Sequence, residues 1–188
     1  MEFLRTIIAR GLQPLLVAMG LFAFANGASA QVVALGASNV SGWGVGSQAA
    51  FPAQLQSLLK QHGYDVSVTN AGIAGDTTSL VLSRLDSAIP AGTRVAIFDA
   101  NGCLWNNNRV GMDSKRGPIE VAEIVNHLKA KGIKVLMMWR GGDLGPDQRQ
   151  YDGIHLSEDG HVTVARHLLP QVMAALGNVR SRFALSAH

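Results

Sequence analysis

Three side chains in two distant segments of the chain have the chemistry to activate a hydroxyl group for attack on a carbonyl carbon. Ser38 lies in a turn of small residues, and Asp152 and His155 lie three positions apart in a turn before a predicted helix. A serine hydroxyl is a weak nucleophile at neutral pH and needs a base, which in turn needs an orienting partner. His155 is suited to be the base and Asp152 the partner that fixes the imidazole tautomer. The pattern therefore predicts acyl transfer through Ser38.

Backbone N–H groups in two glycine-flanked turns can stabilise the charge that such a reaction creates. Ser38 follows Gly36 by two positions, and Gly75 follows Gly72 by three. Glycine lets the backbone approach a ligand closely, and N–H groups directed at a carbonyl oxygen stabilise its developing negative charge. We therefore expect the N–H groups of Ser38 and Gly75 to be oxyanion donors.

These residues must be positioned by a parallel α/β sheet, because short apolar runs alternate with helical patterns after residue 30. The predicted strands are Val32–Leu35, Val66–Val68 running into residues 70–72, Arg94–Asp99 and Ile133–Trp139. The predicted helices run from Phe51 to about Gly63, from Thr77 to Ile89, from Pro118 to Ala130, and onward from Ser157. Ligands bind beyond the carboxyl ends of parallel strands. The candidate residues follow predicted strands, so we expect them to meet at that edge.

Three segments are also similar to conserved sequence motifs, called blocks, that occur in the same order in a known protein family. Residues 34–39 are similar to a first block, with Ala37 where Asp is usual; residues 51–78 are similar to a linker and second block, and residues 152–157 to a fifth. Together they resemble the SGNH/GDSL hydrolase family, in particular its small bacterial esterase, thioesterase and lysophospholipase branch. The resemblance covers nearly all of the chain after residue 30.

The resemblance implies a fold and a reaction. The implied fold is α/β, a three-layer α/β/α sandwich of the flavodoxin-like SGNH hydrolase type with a short parallel sheet of four to five strands. The implied reaction is hydrolysis of carboxylic or thio esters in a small ester or acylated substrate, through an acyl-enzyme on Ser38. Asp152 and His155 would complete the triad, and Gly75 would be an oxyanion donor. We expect no cofactor and no metal ion.

The third block departs from the family pattern, which has Gly-x-Asn-Asp after the third strand and uses the Asn side chain as an oxyanion donor. Aligning Gly102 with the second glycine puts Cys103 at the position of that Asn. A thiol is a poor substitute for an amide N–H donor. Asn101, or one of the asparagines at positions 106–108, is an alternative donor.

Two functional hypotheses follow from this departure. The first is an active carboxylic-ester hydrolase, acting on small acyl, aryl or thioester substrates or removing O-acetyl groups from carbohydrates. The second is a catalytically impaired relative that binds an acylated or glycan ligand. The complete set of Ser38, Asp152 and His155 favours the first hypothesis, and Cys103 favours the second.

The predicted substrate contacts are Asn39 and Ile154, which adjoin the triad, and Trp105, which we place in a loop after the third strand. Trp139, at the end of the fourth strand, is expected in the core. Only about a dozen residues separate that strand from Asp152, too few for a further helix and strand. We therefore expect a shallow, open site without a deep acyl tunnel.

The 188-residue chain divides into three predicted parts. Residues 1–30 have the pattern of a secretory signal peptide: two arginines, an apolar stretch from Gly11 to Ala25, and Ala28-Ser29-Ala30 as the cleavage site. Residues 31–178 form the predicted hydrolase domain, and residues 179–188 a C-terminal tail. The mature protein is expected to be periplasmic or secreted, with no stable membrane association after cleavage.

Several other functions are poorly supported by the sequence. The net charge is only +3 and the basic residues are scattered, which argues against nucleic-acid binding. The glycines after the first strand do not have the G-x-G-x-x-G spacing of a dinucleotide loop. His155, His161 and His167 are six residues apart, so we interpret them as surface histidines rather than metal ligands. Cys103 is the single cysteine and cannot form an internal disulfide.

Overall fold

The computed structural model describes residues 31–138 and 144–177, and the predicted signal peptide, the C-terminal tail and Trp139 lie outside them. Within the described ranges, four parallel strands form one sheet in the order β2-β1-β3-β4. The strands are β1 (Gln31–Gly36), β2 (Val68–Gly72), β3 (Thr93–Phe98) and β4 (Lys134–Met137). This order is that of the flavodoxin-like type, so the predicted fold class is confirmed.

Helices cover both faces of the sheet and make it the middle of three layers. They are α1 (Ser38–Ser41), α2 (Phe51–Gln61), α3 (Thr78–Ser83), α4 (Leu85–Ala88), α5 (Ala100–Arg109), α6 (Arg116–Ala130) and α7 (Glu158–Leu176). Side chains alternate along β1, so that Val32 and Ala34 pack with α2 and α7. Val33 and Leu35 point the other way and pack with helices α3 to α6. The central strand is therefore buried on both sides, as expected in a parallel sheet.

The second strand lies further along the chain than the sequence predicted. It pairs with β1 from Val68, opposite Val32, to Gly72, opposite Gly36. The prediction had this strand begin at Val66 and placed most of it before Asn70. An edge strand whose five residues are all only partly buried has no apolar run to mark it.

The helix predicted from Thr77 to Ile89 is two shorter helices, α3 and α4, which meet at Arg84. Thr77 caps α3, since its side chain accepts a hydrogen bond from the Leu80 N–H. The Arg84 guanidinium donates hydrogen bonds to the Asp76 carboxylate and to the Ala71 carbonyl oxygen. These contacts anchor the junction to the carboxyl end of β2, and the Arg84 backbone leaves helical geometry.

The segment after β3, predicted as a loop, is helix α5. Asp99 caps it, because its Oδ1 accepts a hydrogen bond from the Gly102 N–H at 2.9 Å. The helix was missed because it contains a glycine and four asparagines, which are weak helix formers, and because its buried face includes Asn106 and Asn107. Trp105 therefore projects from a helix and not from a loop.

His161 is fully buried, so its interpretation as a surface histidine was wrong. It lies in the first turns of α7, and its Nδ1 accepts a hydrogen bond from the Phe51 N–H at 3.1 Å. That N–H opens helix α2 and has no acceptor within its own helix. The imidazole ring also stacks on the Phe51 ring, with 6.5 Å between the ring centroids.

No helix in residues 31–138 and 144–177 is long and apolar enough to cross a membrane.

Candidate active site

Ser38, His155 and Asp152 form one hydrogen-bonded row at the carboxyl end of the central strand. Ser38 is the first residue of α1 and follows β1 after a single residue. His155 Nε2 lies 3.0 Å from Ser38 Oγ, and His155 Nδ1 lies 2.5 Å from Asp152 Oδ2. The structure therefore brings the three predicted side chains together with the spacing that proton transfer between them requires.

The turn that carries Asp152 also fixes its ionisation state. Asp152 Oδ1 accepts hydrogen bonds from the backbone N–H groups of Ile154 and His155, each at 2.9 Å. The hydrogen bond to the His155 imidazole has the largest effect on the pKa of Asp152, and the two N–H groups add to it. Together they lower this pKa to about 2. The carboxylate is consequently charged at any working pH and can stabilise a protonated imidazole.

Two side-chain amides hold the His155 segment against the serine side of the site. Gln150 Nε2 donates to the Trp43 carbonyl oxygen at 2.7 Å and to the Leu156 carbonyl oxygen at 2.9 Å. Asn39 Oδ1 accepts a hydrogen bond from the Leu156 N–H at 3.0 Å. Asn39, predicted as a substrate contact, is therefore also a link between α1 and the histidine segment. Since Asn39 follows Ser38 directly, this link sets the distance between nucleophile and base.

The predicted anion site, where backbone N–H groups would stabilise the oxyanion, is formed by Ser38 and Gly75, and both residues line one cavity. Ser38 begins α1, and the first N–H groups of a helix have no intrahelical acceptor. Gly75 has a positive φ of 85°, and a Cβ placed on it would meet nothing within 4 Å. The residue after it, Asp76, is held by an ion pair of 2.6 Å to Arg84 and by a hydrogen bond from Asn106 Nδ2 to its backbone oxygen. The Gly75 turn is thus fixed from two sides.

The prediction that Cys103 stands in the anion site is wrong, because its side chain is fully buried in the core beneath α5. Burial raises the pKa of the thiol, so it is neutral. Asn101 lies two residues earlier on the helix, about 200° away around its axis, and it lines the cavity beside Ser38. Asn101, and not Cys103, is in a position to contact a substrate.

The three asparagines that follow on α5 have other surroundings. Asn107 accepts from the Thr78 N–H at 3.0 Å and donates to Thr78 Oγ1 at 2.7 Å, which ties α5 to α3. Asn106 is buried and holds the Gly75 turn through Asp76. Asn108 is exposed on the outer face of the helix.

Two cavities meet at Ser38, and both are bounded by Trp105 and Asn106. The smaller cavity, of about 180 Å³, also includes Asn39 and Ile154. The other residues that line it, among those the structure describes, are Asp99, Asn101, Gly102, Met138, Leu144, Arg149, Leu156 and Val164. The larger cavity, of about 320 Å³, is completed by Trp43, Ala74, Gly75, Arg109 and His155. All three predicted substrate contacts therefore line the site.

Sequence reasoning missed Asp99, a buried acid next to Asn101. Burial raises the pKa of its carboxyl group, and its Oδ2 has no hydrogen-bond partner. Oδ2 lies so close to Gly102 that any side chain at position 102 would collide with it. An acidic residue directly after a buried strand was the available signal. Trp43, which the sequence offered as a less favoured ligand contact than Trp105, and Arg109, which was missed, are also wall residues. Exposed positions leave no periodic pattern that would single them out.

Residues 34–153 match the model of the GDSL-like lipase/acylhydrolase family. An arylesterase of Vibrio mimicus is 30% identical over 114 residues, which are 61% of this chain and 56% of that protein. Esterase TesA of Pseudomonas aeruginosa is 29% identical over 115 residues, 59% of this chain and 54% of that protein. The chain thus spans about half the length of the curated relatives it matches.

The fold is shared with solved structures. Esterase EstA from Pseudoalteromonas sp. superimposes with a TM-score of 0.67 at 15% identity, covering 79% of this chain and 99% of that one. At this level of identity the likeness concerns the fold alone. The family match extends over more than half of the chain and includes Ser38, Gly75 and Asp152. The chain therefore belongs to the GDSL-like lipase/acylhydrolase family.

Proposed function

We propose that this protein hydrolyses carboxylic esters through an acyl-enzyme formed on Ser38. The observation that carries the proposal is the continuous hydrogen-bonded row from Ser38 Oγ through the His155 ring to the Asp152 carboxylate. A serine hydroxyl bonded to an imidazole, with a carboxylate on the opposite ring nitrogen, is the arrangement that makes serine a nucleophile.

The reaction proceeds in two steps, acylation of Ser38 and hydrolysis of the acyl-enzyme. Ser38 Oγ bonds to the carbonyl carbon while His155 Nε2 takes the hydroxyl proton, and the carbonyl electron pair moves to oxygen. The N–H groups of Ser38 and Gly75 and the Asn101 amide stabilise that oxyanion. When the carbonyl re-forms, the bond to the alcohol oxygen breaks and His155 returns the proton to it. Water then repeats the sequence, releasing the carboxylic acid and restoring Ser38.

The two cavities suggest where each half of the substrate binds. His155 lines the larger cavity only, and the alcohol oxygen must lie next to His155 to receive its proton. The alcohol therefore occupies the larger cavity and the acyl group the smaller one. The smaller cavity, of about 180 Å³, has a mixed lining whose apolar part includes Leu144 and Val164, and its volume suits a short acyl chain. This arrangement favours acetyl to butyryl esters over long-chain substrates.

The alternative hypothesis of a catalytically impaired binding protein rested on Cys103 in the anion site. Cys103 is in the core and Asn101 is beside Ser38, so that reason no longer applies. O-acetylated carbohydrates and thioesters with short acyl groups remain within the proposed substrate range, because both present a carbonyl carbon to Ser38.

Labelling with a fluorophosphonate probe tests the proposal, because this reagent reports an activated serine whatever the natural substrate is. We expect the wild-type protein and Ser41→Ala to be labelled and Ser38→Ala to remain unlabelled. Ser41 is the matched control, since it lies in the same short helix as Ser38. Hydrolysis of p-nitrophenyl acetate should follow the same pattern. Equal labelling and turnover in Ser38→Ala would refute a role for this serine.

The proposal extends to location and chain organisation. Residues 1–30 would direct export and be removed after Ala30, leaving residues 31–178 as the hydrolase domain and 179–188 as a tail. The ester substrate would then be encountered in the periplasm or outside the cell. N-terminal sequencing of the protein recovered from those fractions should start at Gln31. Recovery of the intact N-terminus from the cytoplasm would contradict this part.

A further inference from the structure

The larger cavity has a wall that none of the proposed catalytic steps uses. Two exposed tryptophans, Trp43 and Trp105, line this cavity together with Ser38, and 58% and 40% of their surfaces are accessible. Exposed apolar side chains that are grouped at one cavity commonly mark a binding surface, and tryptophan is enriched at such surfaces. Their position beside the nucleophile indicates that they contact the substrate.

The orientation of Trp43 relates it to the alcohol half of the ester. Its ring centroid lies 6.3 Å from that of the His155 ring, with the planes inclined at 40°. His155 is the group that protonates the departing alcohol. A planar ring attached to the alcohol oxygen would therefore lie within contact distance of Trp43, where aromatic rings attract one another in stacked or tilted geometry.

Arg109 supplies a positive charge at the same cavity. Its guanidinium carbon lies 4.9 Å from the centre of the Trp105 ring, and the residue lines the cavity with Gly75 and His155. Arg84 and Arg116 each form an ion pair with a carboxylate. Within residues 31–138 and 144–177, no carboxylate pairs with Arg109. The stacked tryptophan orients this charge without neutralising it.

We propose that the larger cavity selects esters whose alcohol is a planar aromatic ring carrying a negative charge, with Trp43 and Trp105 contacting the ring and Arg109 pairing with the anionic group. This inference rests on the proposed ester hydrolysis at Ser38 and names the leaving group of that reaction. A hydroxybenzoate released from its acetyl ester is the simplest product of this class.

A pair of matched substrates tests the charge preference. 4-Acetoxybenzoate and 4-acetoxybenzamide have the same size and acyl group, and only the first carries a negative charge. We expect kcat/KM for the benzoate to exceed that for the benzamide by about two- to fivefold at low salt, the range of an exposed ion pair. The ratio should fall towards one in Arg109→Gln, invert in Arg109→Glu, and decline in 0.5 M salt. Arg166→Gln, which removes an exposed arginine on α7, is the matched control and should keep the wild-type ratio.

A second measurement does not depend on turnover. 4-Hydroxybenzoate should quench the tryptophan fluorescence of Ser38→Ala, and the Kd should rise by about two- to fivefold when Arg109→Gln is added. Trp43→Ala should raise the Kd by about two- to tenfold through loss of the ring contact. A wild-type ratio of one, or a Kd that does not respond to Arg109→Gln, overturns the inference. Turnover that persists in Ser38→Ala would instead refute the proposed function, so the two failures are distinguishable.

Discussion

The side-chain amide of Asn106 donates a hydrogen bond to the backbone oxygen of Asp76 over 2.8 Å, across 30 positions of sequence. It joins the two segments that supply the anion site, because Gly75 precedes Asp76 and Asn101 lies on the same helix as Asn106. Asn106 is also buried and borders both cavities. This amide is therefore one of the contacts that set the relative position of two proposed oxyanion donors, beside the Arg84–Asp76 ion pair.

Replacing Asn106 with leucine should impair turnover more than substrate binding. The substitution keeps the approximate volume but removes the donor to Asp76, so the Gly75 turn loses one of its two anchors. We expect kcat for phenyl acetate to fall by about 10- to 100-fold, as displacements near 1 Å in an active site do. The unpaired carbonyl oxygen should lower the free energy of unfolding by about 1–3 kcal/mol. Steady-state kinetics and urea unfolding measure the two effects.

Asn108→Leu is the control for this experiment, because Asn108 is exposed on the same helix two positions further along. Its kcat should equal that of the wild type. A normal kcat in Asn106→Leu would show that the Gly75 turn keeps its position without the hydrogen bond.

Substitution of Asn101 should impair turnover, whereas substitution of Cys103 should impair stability. Asn101→Ala removes a proposed oxyanion donor and should lower kcat by about 100- to 1,000-fold with little change in KM. Cys103→Asn, which would restore activity if position 103 faced the anion site, instead places an amide in the apolar core. We expect it to lower the free energy of unfolding by about 1–3 kcal/mol without raising kcat. A faster enzyme in Cys103→Asn would contradict the assignment of Asn101.

The sequence predicts the triad and the Gly75 turn because all of them follow strands whose carboxyl ends meet at one edge of a parallel sheet. The order of the strands alone decides which residues meet at that edge, so an error of a few residues in the bounds of β2 has no effect. Ser38, Asp152 and His155 are also chemically distinctive, so few other combinations could provide the same reaction.

The third block could not be predicted in the same way. Aligning it by Gly102 leaves the donor uncertain by two residues, and on a helix two residues reverse the direction of a side chain. The choice between Asn101 and Cys103 thus required knowing that α5 begins directly after Asp99. Trp43 and Arg109 were not predictable as walls of the same cavity, because exposed positions leave no pattern in either segment.

Asp152→Asn should leave the geometry of the site intact while removing its charge. An asparagine at this position can still bond the His155 ring, but it favours the wrong tautomer and cannot stabilise the imidazolium. We expect kcat to fall by about 10,000-fold at pH 7. Because the pKa of Asp152 is lowered to about 2, the wild-type rate should show no titration of this carboxylate above pH 4.

Asp65→Asn, which changes an exposed carboxylate far from the triad in sequence, controls for the loss of one negative charge and should retain wild-type kcat. If Asp152→Asn were to keep more than a tenth of the activity, another group would have to orient His155.

His161 should make the stability of the protein fall in mild acid. Burial lowers its pKa from 6.5 to about 4. Between these two values the unfolded chain binds a proton that the folded chain does not, so the free energy of unfolding decreases as the pH is lowered through this window. The contribution lost between pH 6.5 and pH 4 should reach about 3 kcal/mol.

His161→Asn isolates this contribution, because the asparagine oxygen can replace Nδ1 as acceptor for the Phe51 N–H while the side chain no longer titrates. Urea unfolding at half-unit steps from pH 7 to pH 4 should give a steeper loss of stability in the wild type than in the variant. Asp99, whose pKa is raised by burial, contributes with the opposite sign, but it is present in both proteins and cancels in their difference. Identical pH profiles would mean that the folded protein accommodates a charged His161, although its newly protonated Nδ1 could no longer accept the hydrogen bond from the Phe51 N–H.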